Sequence, residues 1–212
     1  MALKYEMKTE KPEKMGNKEA QELKNIILAP YMQIATGLIG KARHAGGNMF
    51  RHQMDTLAIL IDYGYIDAIL LKASIVHDTV EDIQGFDKNL IKNADSDGPD
   101  VLKLVLEVTR REEESKKQFL QRILNEGSQK AKILKCADRI SNMISLGYVT
   151  DPHFIERYCD ETEYFILPMA LEIDFNMYHE LISLIMTRRR YLEDGGYFDT
   201  RHKETNSDDS TK

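Results

Sequence analysis

Three observations in the sequence predict an all-α protein, a compact multi-helix bundle. Apolar residues recur at i, i+3, i+4 and i+7 spacing along almost the whole chain. No segment alternates strictly between apolar and polar residues, and no Asn-Gly or Asp-Gly turn joins β-rich runs. Stop signals fall where helices should end, with Gly127 and Gly147 bracketing one periodic stretch.

Taken in order, the periodicity predicts helices over 17–28, 31–45, 51–63, 66–82, 99–109, 114–126, 128–147, 152–172 and 175–193. The third carries the stripe Met54, Leu57, Ala58, Leu60 and Ile61, and the fourth holds Leu70, Leu71, Ala73, Ile75, Val76 and Val80. Ser128 is a ready N-cap for the seventh, whose buried stripe is Ile133, Leu134, Ala137, Ile140 and Ile144. Asp151-Pro152 opens the eighth with proline in the first turn, and cations at Arg188, Arg189 and Arg190 suit the C-terminal end of the last. The least regular interior stretch, 83–100, contains Gly85, Gly98, Pro99 and the acidic run Asp95-Ser96-Asp97, and reads equally as a lid or a solvated connector. Residues 1–16 and 196–212 are polar and lack apolar periodicity; we expect flexible segments there, flanking one domain over 17–195.

Composition narrows the function classes. The 212 residues include 29 Lys and Arg against 35 Asp and Glu, a net charge of −6, which argues against nucleic acid as a partner. The longest charge-free run, 25–40, is interrupted by Pro30, Gln33 and Thr36 and falls short of the ~20 apolar residues that span a bilayer, so no membrane partner is expected. The first residues alternate Lys with Glu and form no secretory signal. Cys136 and Cys159 have neither metal-type nor disulfide-framework spacing and read as reduced packing residues. These features predict a cytoplasmic protein; the oligomeric state, a homo-oligomer included, stays open.

Chemistry concentrates at four places. His77 and Asp78 lie side by side in an apolar segment, where an imidazole and a carboxylate need strong partners. A divalent cation is such a partner for both. Glu81 and Asp82 follow four residues on, adding carboxylates whose mutual repulsion a cation relieves. Lys135, Asp138, Asn142 and Ser145 share a second helix face, offering a carboxylate and, a turn away, amide and hydroxyl groups. His52 opens a third helix, and Arg43 precedes the Gly46-Gly47 break. Taken singly each has an ordinary structural explanation; the ordered set on helices that can share one core is what points to a site. His153, His179 and His202 lack such company and read as structural or exposed.

The ordered set resembles the H…HD…D pattern of the HD metal-dependent phosphohydrolase superfamily, and more narrowly the (p)ppGpp hydrolase domain of RelA/SpoT-type proteins. Residues 43–52 resemble R-K-x-G-x-x-Y-x-x-H, residues 77–82 resemble H-D-x-x-E-D, and residues 101–110 resemble the segment ending in V-T-K. Residues 135–146 resemble K-L-A-D-R-L-x-N-M-x-x-L, and residues 161–170 resemble E-T-x-x-I-Y-x-P-L-A. The likeness runs in order from about residue 32 to about residue 193. It departs at Gln53, where the pattern has proline, at Leu38 and Lys41 in an upstream A-H-x-G-Q string, at His44 in place of lysine, and at Ile83 in place of threonine. The acidic 95–100 loop replaces a phenylalanine-glycine turn.

The resemblance implies an HD-domain bundle in which His52, His77, Asp78 and Asp138 hold one divalent ion, most often Mn²⁺. Mixed imidazole and carboxylate ligands agree with a transition metal rather than calcium. Glu81 and Asp82 are implied as the catalytic pair that orients and deprotonates water. Arg43, by resemblance, stacks on guanine; His44 and Lys135, with Lys41 and Arg51, are candidates for phosphate; Asn142 and Ser145 line the nucleotide pocket. Arg139 reads as structural, paired with a nearby carboxylate. The implied reaction removes the 3′-pyrophosphate from ppGpp or pppGpp, leaving GDP or GTP, in the manner of a stringent-response hydrolase with no synthetase module. The alternatives are an HD-type phosphatase of NADPH or a deoxynucleotide, and a non-catalytic nucleotide sensor.

Overall fold

The computed structural model describes residues 16–194. Apart from Gly16, the two expected flexible segments lie outside the described residues, as does residue 195 of the expected domain. Among the described residues the chain is helical throughout, with no strand and one isolated antiparallel bridge between Ala42 and Asn48.

Helix α1 (Asn17–Asn25) leads into α2 (Ala29–Ala35), which tightens into a 3₁₀ turn (Thr36–Leu38). Helix α3 (Met49–Asp62) starts at Asn48, whose side chain accepts a hydrogen bond from the Arg51 N–H. Next come α4 (Ala68–Val76), α5 (Thr79–Asp82), α6 (Asn89–Lys92), α7 (Gly98–Val108) and α8 (Lys116–Glu126). Ser128 caps α9 (Gln129–Ser145) by accepting from the Ala131 N–H. The chain finishes with α10 (Pro152–Glu161), a π-helical turn (Thr162–Ile166), α11 (Leu167–Ile173) and α12 (Phe175–Glu193).

Helix α4 is the axis of the bundle. Every residue from Leu70 to Val76 is buried, because α2, α3, α7 and α9 surround it. An isolated amphipathic helix hides one stripe; a helix apolar on all sides has to sit in the middle. Each fully buried Leu or Ile there contributes about 1.5–3 kcal/mol by leaving water. Helix α9 packs on α3 along one side and on α11 and α12 along the other, so its polar positions face inward where α3 and the end of α4 meet it.

Three expected helices are broken in the structure, each for a local reason. The 31–45 helix stops at Leu38; the chain then turns through Gly46 and Gly47, whose φ values of 86° and 72° lie in the left-handed region. The 66–82 helix is interrupted at His77-Asp78, where side chains take over backbone acceptors: Ser74 Oγ donates to the Leu71 carbonyl, Thr79 Oγ1 to Val76 and His77 Nδ1 to Ser74. The 152–172 helix widens into the π turn ahead of Pro168, whose ring and missing N–H exclude the regular α repeat.

The 83–100 stretch is firmly fastened. It contains α6 and the start of α7, and Ile91 is fully buried. Lys72 Nζ reaches Asp95 at 2.6 Å and Asp97 at 2.7 Å, while the Tyr31 hydroxyl donates to Asp95 at 2.7 Å. Gly98 is required by close approach, since a Cβ there would lie 2.4 Å from the Lys92 carbonyl oxygen. The reading of this stretch as a connector fits these contacts better than a lid.

Candidate metal centre and adjoining cavity

Three segments bring two imidazoles and a carboxylate together. His52 sits in the first turn of α3 facing α9, its Nδ1 2.9 Å from Ser141 Oγ and its Nε2 3.0 Å from Asp138 Oδ1. His77 follows the last residue of α4. Its Nδ1 donates to the Ser74 carbonyl at 2.8 Å, which leaves Nε2 as the ring nitrogen that faces the site. That Nε2 is buried, has no hydrogen-bond partner, and points to the same place as His52 Nε2 and Asp138 Oδ1. One ligand atom from each of His52, His77 and Asp138 lies within 4.8 Å of the others. Asp78 joins from the α4–α5 junction, its Oδ2 3.6 Å from His52 Nε2 and 3.3 Å from His77 Nε2.

The electrostatics make this a cation site. Burial opposes a charge on His77, but Asp78 and Asp138 outweigh it and lift the ring to about 9. The same two carboxylates that favour positive charge on this ring favour a metal ion beside it. Asp138 is held well below the usual carboxylate range: burial pushes it up, and Lys135 and the two imidazoles pull it down further. The test of fit for a divalent ion is the orphaned His77 Nε2. Two imidazole nitrogens and the Asp138 carboxylate around one point, with Asp78 beside His77, are a transition-metal donor set, and an ion would be the partner that His77 Nε2 lacks.

Other sequence-predicted residues fall around this centre. Glu81 accepts a hydrogen bond from the Arg110 N–H just past α7, and burial raises its pKa despite that bond. Asp82 forms an ion pair with Lys41 at 2.5 Å, while its N–H still bonds the Asp78 carbonyl four residues back. A cavity of about 320 Å³ opens beside Asp82 and Asn142, walled by Lys41, Arg43, His44 and Phe154. Arg43 donates to Asn142 Oδ1 at 2.9 Å and Ser145 Oγ at 3.2 Å, and Asn142 in turn donates to Asp138 Oδ1. His44 packs against Phe154 with ring centroids 4.9 Å apart.

Lys135 is placed otherwise than the sequence suggested. It lies half-buried over the Phe119 ring with Nζ 2.7 Å from Asp138 Oδ2, and it is not among the residues lining the cavity. Arg139 is buried as expected of a structural residue, bonded to Thr162 and stacked 4.1 Å over Tyr158, with Glu161 3.9 Å away. Sequence reasoning missed Ser141, which shares the Asp138 face at i+3, and Phe154 and Tyr158, which reach the cavity from α10. It also noted Gln53 only as a departure, although Gln53 Nε2 donates to Asp78 Oδ2 at 2.8 Å. A spacing signal existed for Ser141; none existed for the aromatic wall, which depends on how α10 docks.

No family model matches the chain, and no curated protein matches it. Among solved structures, it is similar to a metazoan ortholog of SpoT described as hydrolysing ppGpp and playing a role in starvation responses. The TM-score is 0.65 at 21% identity, over 82% of this chain and 96% of that one. The architecture implied by the H…HD…D resemblance is thus the one observed: this chain has the all-α fold of that protein.

Proposed function

We propose that the protein is a metal-dependent phosphohydrolase that removes the 3′-pyrophosphate from ppGpp and pppGpp, releasing pyrophosphate and leaving GDP or GTP. The observation that carries this reading is the convergence of His52 Nε2, His77 Nε2 and Asp138 Oδ1 on one point, with His77 Nε2 buried and unpartnered. His52, His77, Asp78 and Asp138 would hold one divalent ion, Mn²⁺ in our reading. Such an ion supplies Lewis-acid activation of water and offsets charge on the phosphoryl group.

The protein's own residues do the rest. The Glu81 carboxylate, made more basic by burial, accepts a proton from the attacking water, and Asp82 orients that water. Carboxylates dominate the centre, so a polyphosphate needs cations in the wall; Lys41 and Arg43 supply them, and His44 adds an imidazole N–H. Arg43 is held flat by Asn142 and Ser145, which suits its guanidinium for stacking on a purine. The similarity in fold to a protein described as hydrolysing ppGpp supports the same substrate class here. We place the protein in the cytoplasm on its expected substrate; among the described residues no helix is long and apolar enough to cross a membrane.

The test is a substrate screen. Purified protein with Mn²⁺ is incubated with ppGpp, pppGpp, NADPH and deoxynucleoside monophosphates, and released pyrophosphate and phosphate are measured. Pyrophosphate from the alarmones is expected. Phosphate from NADPH or a deoxynucleotide alone would reassign the substrate, and tight nucleotide binding without turnover would make the protein a sensor.

A further inference from the structure

Gln53 follows His52 on α3, and successive residues of a helix point about 100° apart. His52 therefore faces Ser141 and Asp138 on α9, while Gln53 faces the α4–α5 junction and donates from Nε2 to Asp78 Oδ2 at 2.8 Å. The direction of this amide is unambiguous. An anionic oxygen at hydrogen-bond distance requires the NH₂ group, so the carbonyl Oε1 is the atom turned away. That Oε1 is buried without a partner, and the whole side chain is fully enclosed.

A buried, half-satisfied amide is a poor choice for packing alone. An apolar side chain of the same length would fill the space without stranding a carbonyl. What an apolar residue cannot do is donate to Asp78. The oxygen that receives the bond is the same one that lies 3.6 Å from His52 Nε2 and 3.3 Å from His77 Nε2. Gln53 thus holds this carboxylate oxygen beside the two imidazoles and spreads part of its charge.

We propose that Gln53 is a positioning residue for the cation cluster: its amide fixes the Asp78 carboxylate against His52 and His77 and sets how tightly that cluster takes a divalent ion. The inference rests on the metal reading above. It concerns a residue at which the chain departs from the pattern it resembles, since proline has no side-chain donor to offer an acidic neighbour.

The experiment compares wild-type protein with Gln53→Met, which keeps length and volume, and Gln53→Leu. Mn²⁺ affinity is measured by calorimetry or chelator competition, and thermal unfolding is followed on metal-stripped protein. Loss of an outer hydrogen-bond partner typically weakens metal binding about 10–100-fold. We expect a loss in that range for both variants, with the metal-free melting temperature unchanged or raised because the stranded Oε1 is gone. Equal affinity in wild type and variants overturns the role of Gln53 while leaving the metal centre intact. No Mn²⁺ binding by wild type overturns the metal reading and this inference with it. Loss of folded protein in both variants makes Gln53 a packing residue and also overturns it.

Discussion

Helix α4 carries two buried polar networks, one at its middle and one at its end, and they are built on opposite principles. At the middle, Lys72 Nζ is shared between Asp95 and Asp97, and the Tyr31 hydroxyl donates to Asp95. One cation serves two carboxylates, and each named donor has an acceptor. At the end, His52, His77, Asp78 and Asp138 leave His77 Nε2 with no partner and Gln53 Oε1 stranded beside them. A network that only has to hold helices together closes on itself, because any open group is a penalty. A network with a buried imidazole nitrogen left unpartnered among acids is open to a further partner. Burial does not distinguish the two, and neither does the presence of ionisable residues; completeness does.

That contrast is broken or sharpened by substitution. The largest effect is expected from Asp78→Ala. Under the proposed function Asp78 is a direct ligand, and its removal should lower alarmone hydrolysis by more than roughly 100-fold, beyond what loss of an outer partner does. It should also abolish the thermal shift caused by Mn²⁺. In wild type a ligand at 100 times its Kd stabilises by about 2.7 kcal/mol, or roughly 5–10 °C for a domain of this size. Circular dichroism should find the helix content of the variant unchanged. Hydrolysis that survives Asp78→Ala would place the chemistry elsewhere.

Next in size is Lys72→Met. Stripping the cation leaves Asp95 and Asp97 facing each other, at a stability loss of about 3 kcal/mol, the low end for a broken buried pair because Asp97 is partly open to water. Denaturant unfolding measures it. The Mn²⁺-induced shift should survive intact, since no member of the closed network touches the open one. A variant that lost both would show the two networks to be one.

The smallest effect is a pH dependence. Burial raises the Asp95 pKa, but Lys72 and Tyr31 outweigh it and bring the group below its ordinary value. A carboxyl depressed in the folded state contributes stability that is fully present above its unfolded pKa, about 3.9, and is lost as pH falls through the lower folded value. Asp95→Asn should therefore flatten the fall of unfolding free energy below about pH 4 while changing little of its slope at neutral pH. Acid titration of both proteins, read by unfolding midpoints, checks this.

The acidic loop shows where sequence reasoning reached its limit. Asp95-Ser96-Asp97 read as solvated or lid-like because nothing local signals that a lysine more than 20 residues upstream will take both carboxylates. The broken helices have the same origin. Apolar periodicity continues through His77-Asp78, so it cannot report that Ser74, Thr79 and His77 have claimed the carbonyls that a continuous helix would use. Lys135 shares a helix face with Asp138 and Asn142, and its spacing says nothing of whether Nζ turns to a ligand or to its own neighbour three residues on.

Residue chemistry and spacing alone determined that the chain is helical and that two histidines and several acids stand at positions able to meet. Periodic burial and the unfavourable desolvation of a His-Asp pair are local facts, legible without coordinates. Tertiary structure alone decided which of those groups are satisfied. Whether a lone pair ends up filled or open depends on the distance and angle of partners delivered by other helices. On that basis it separated the closed network of Lys72 from the open one of His77, gave Gln53 its grip on Asp78, and brought Phe154 to the cavity wall.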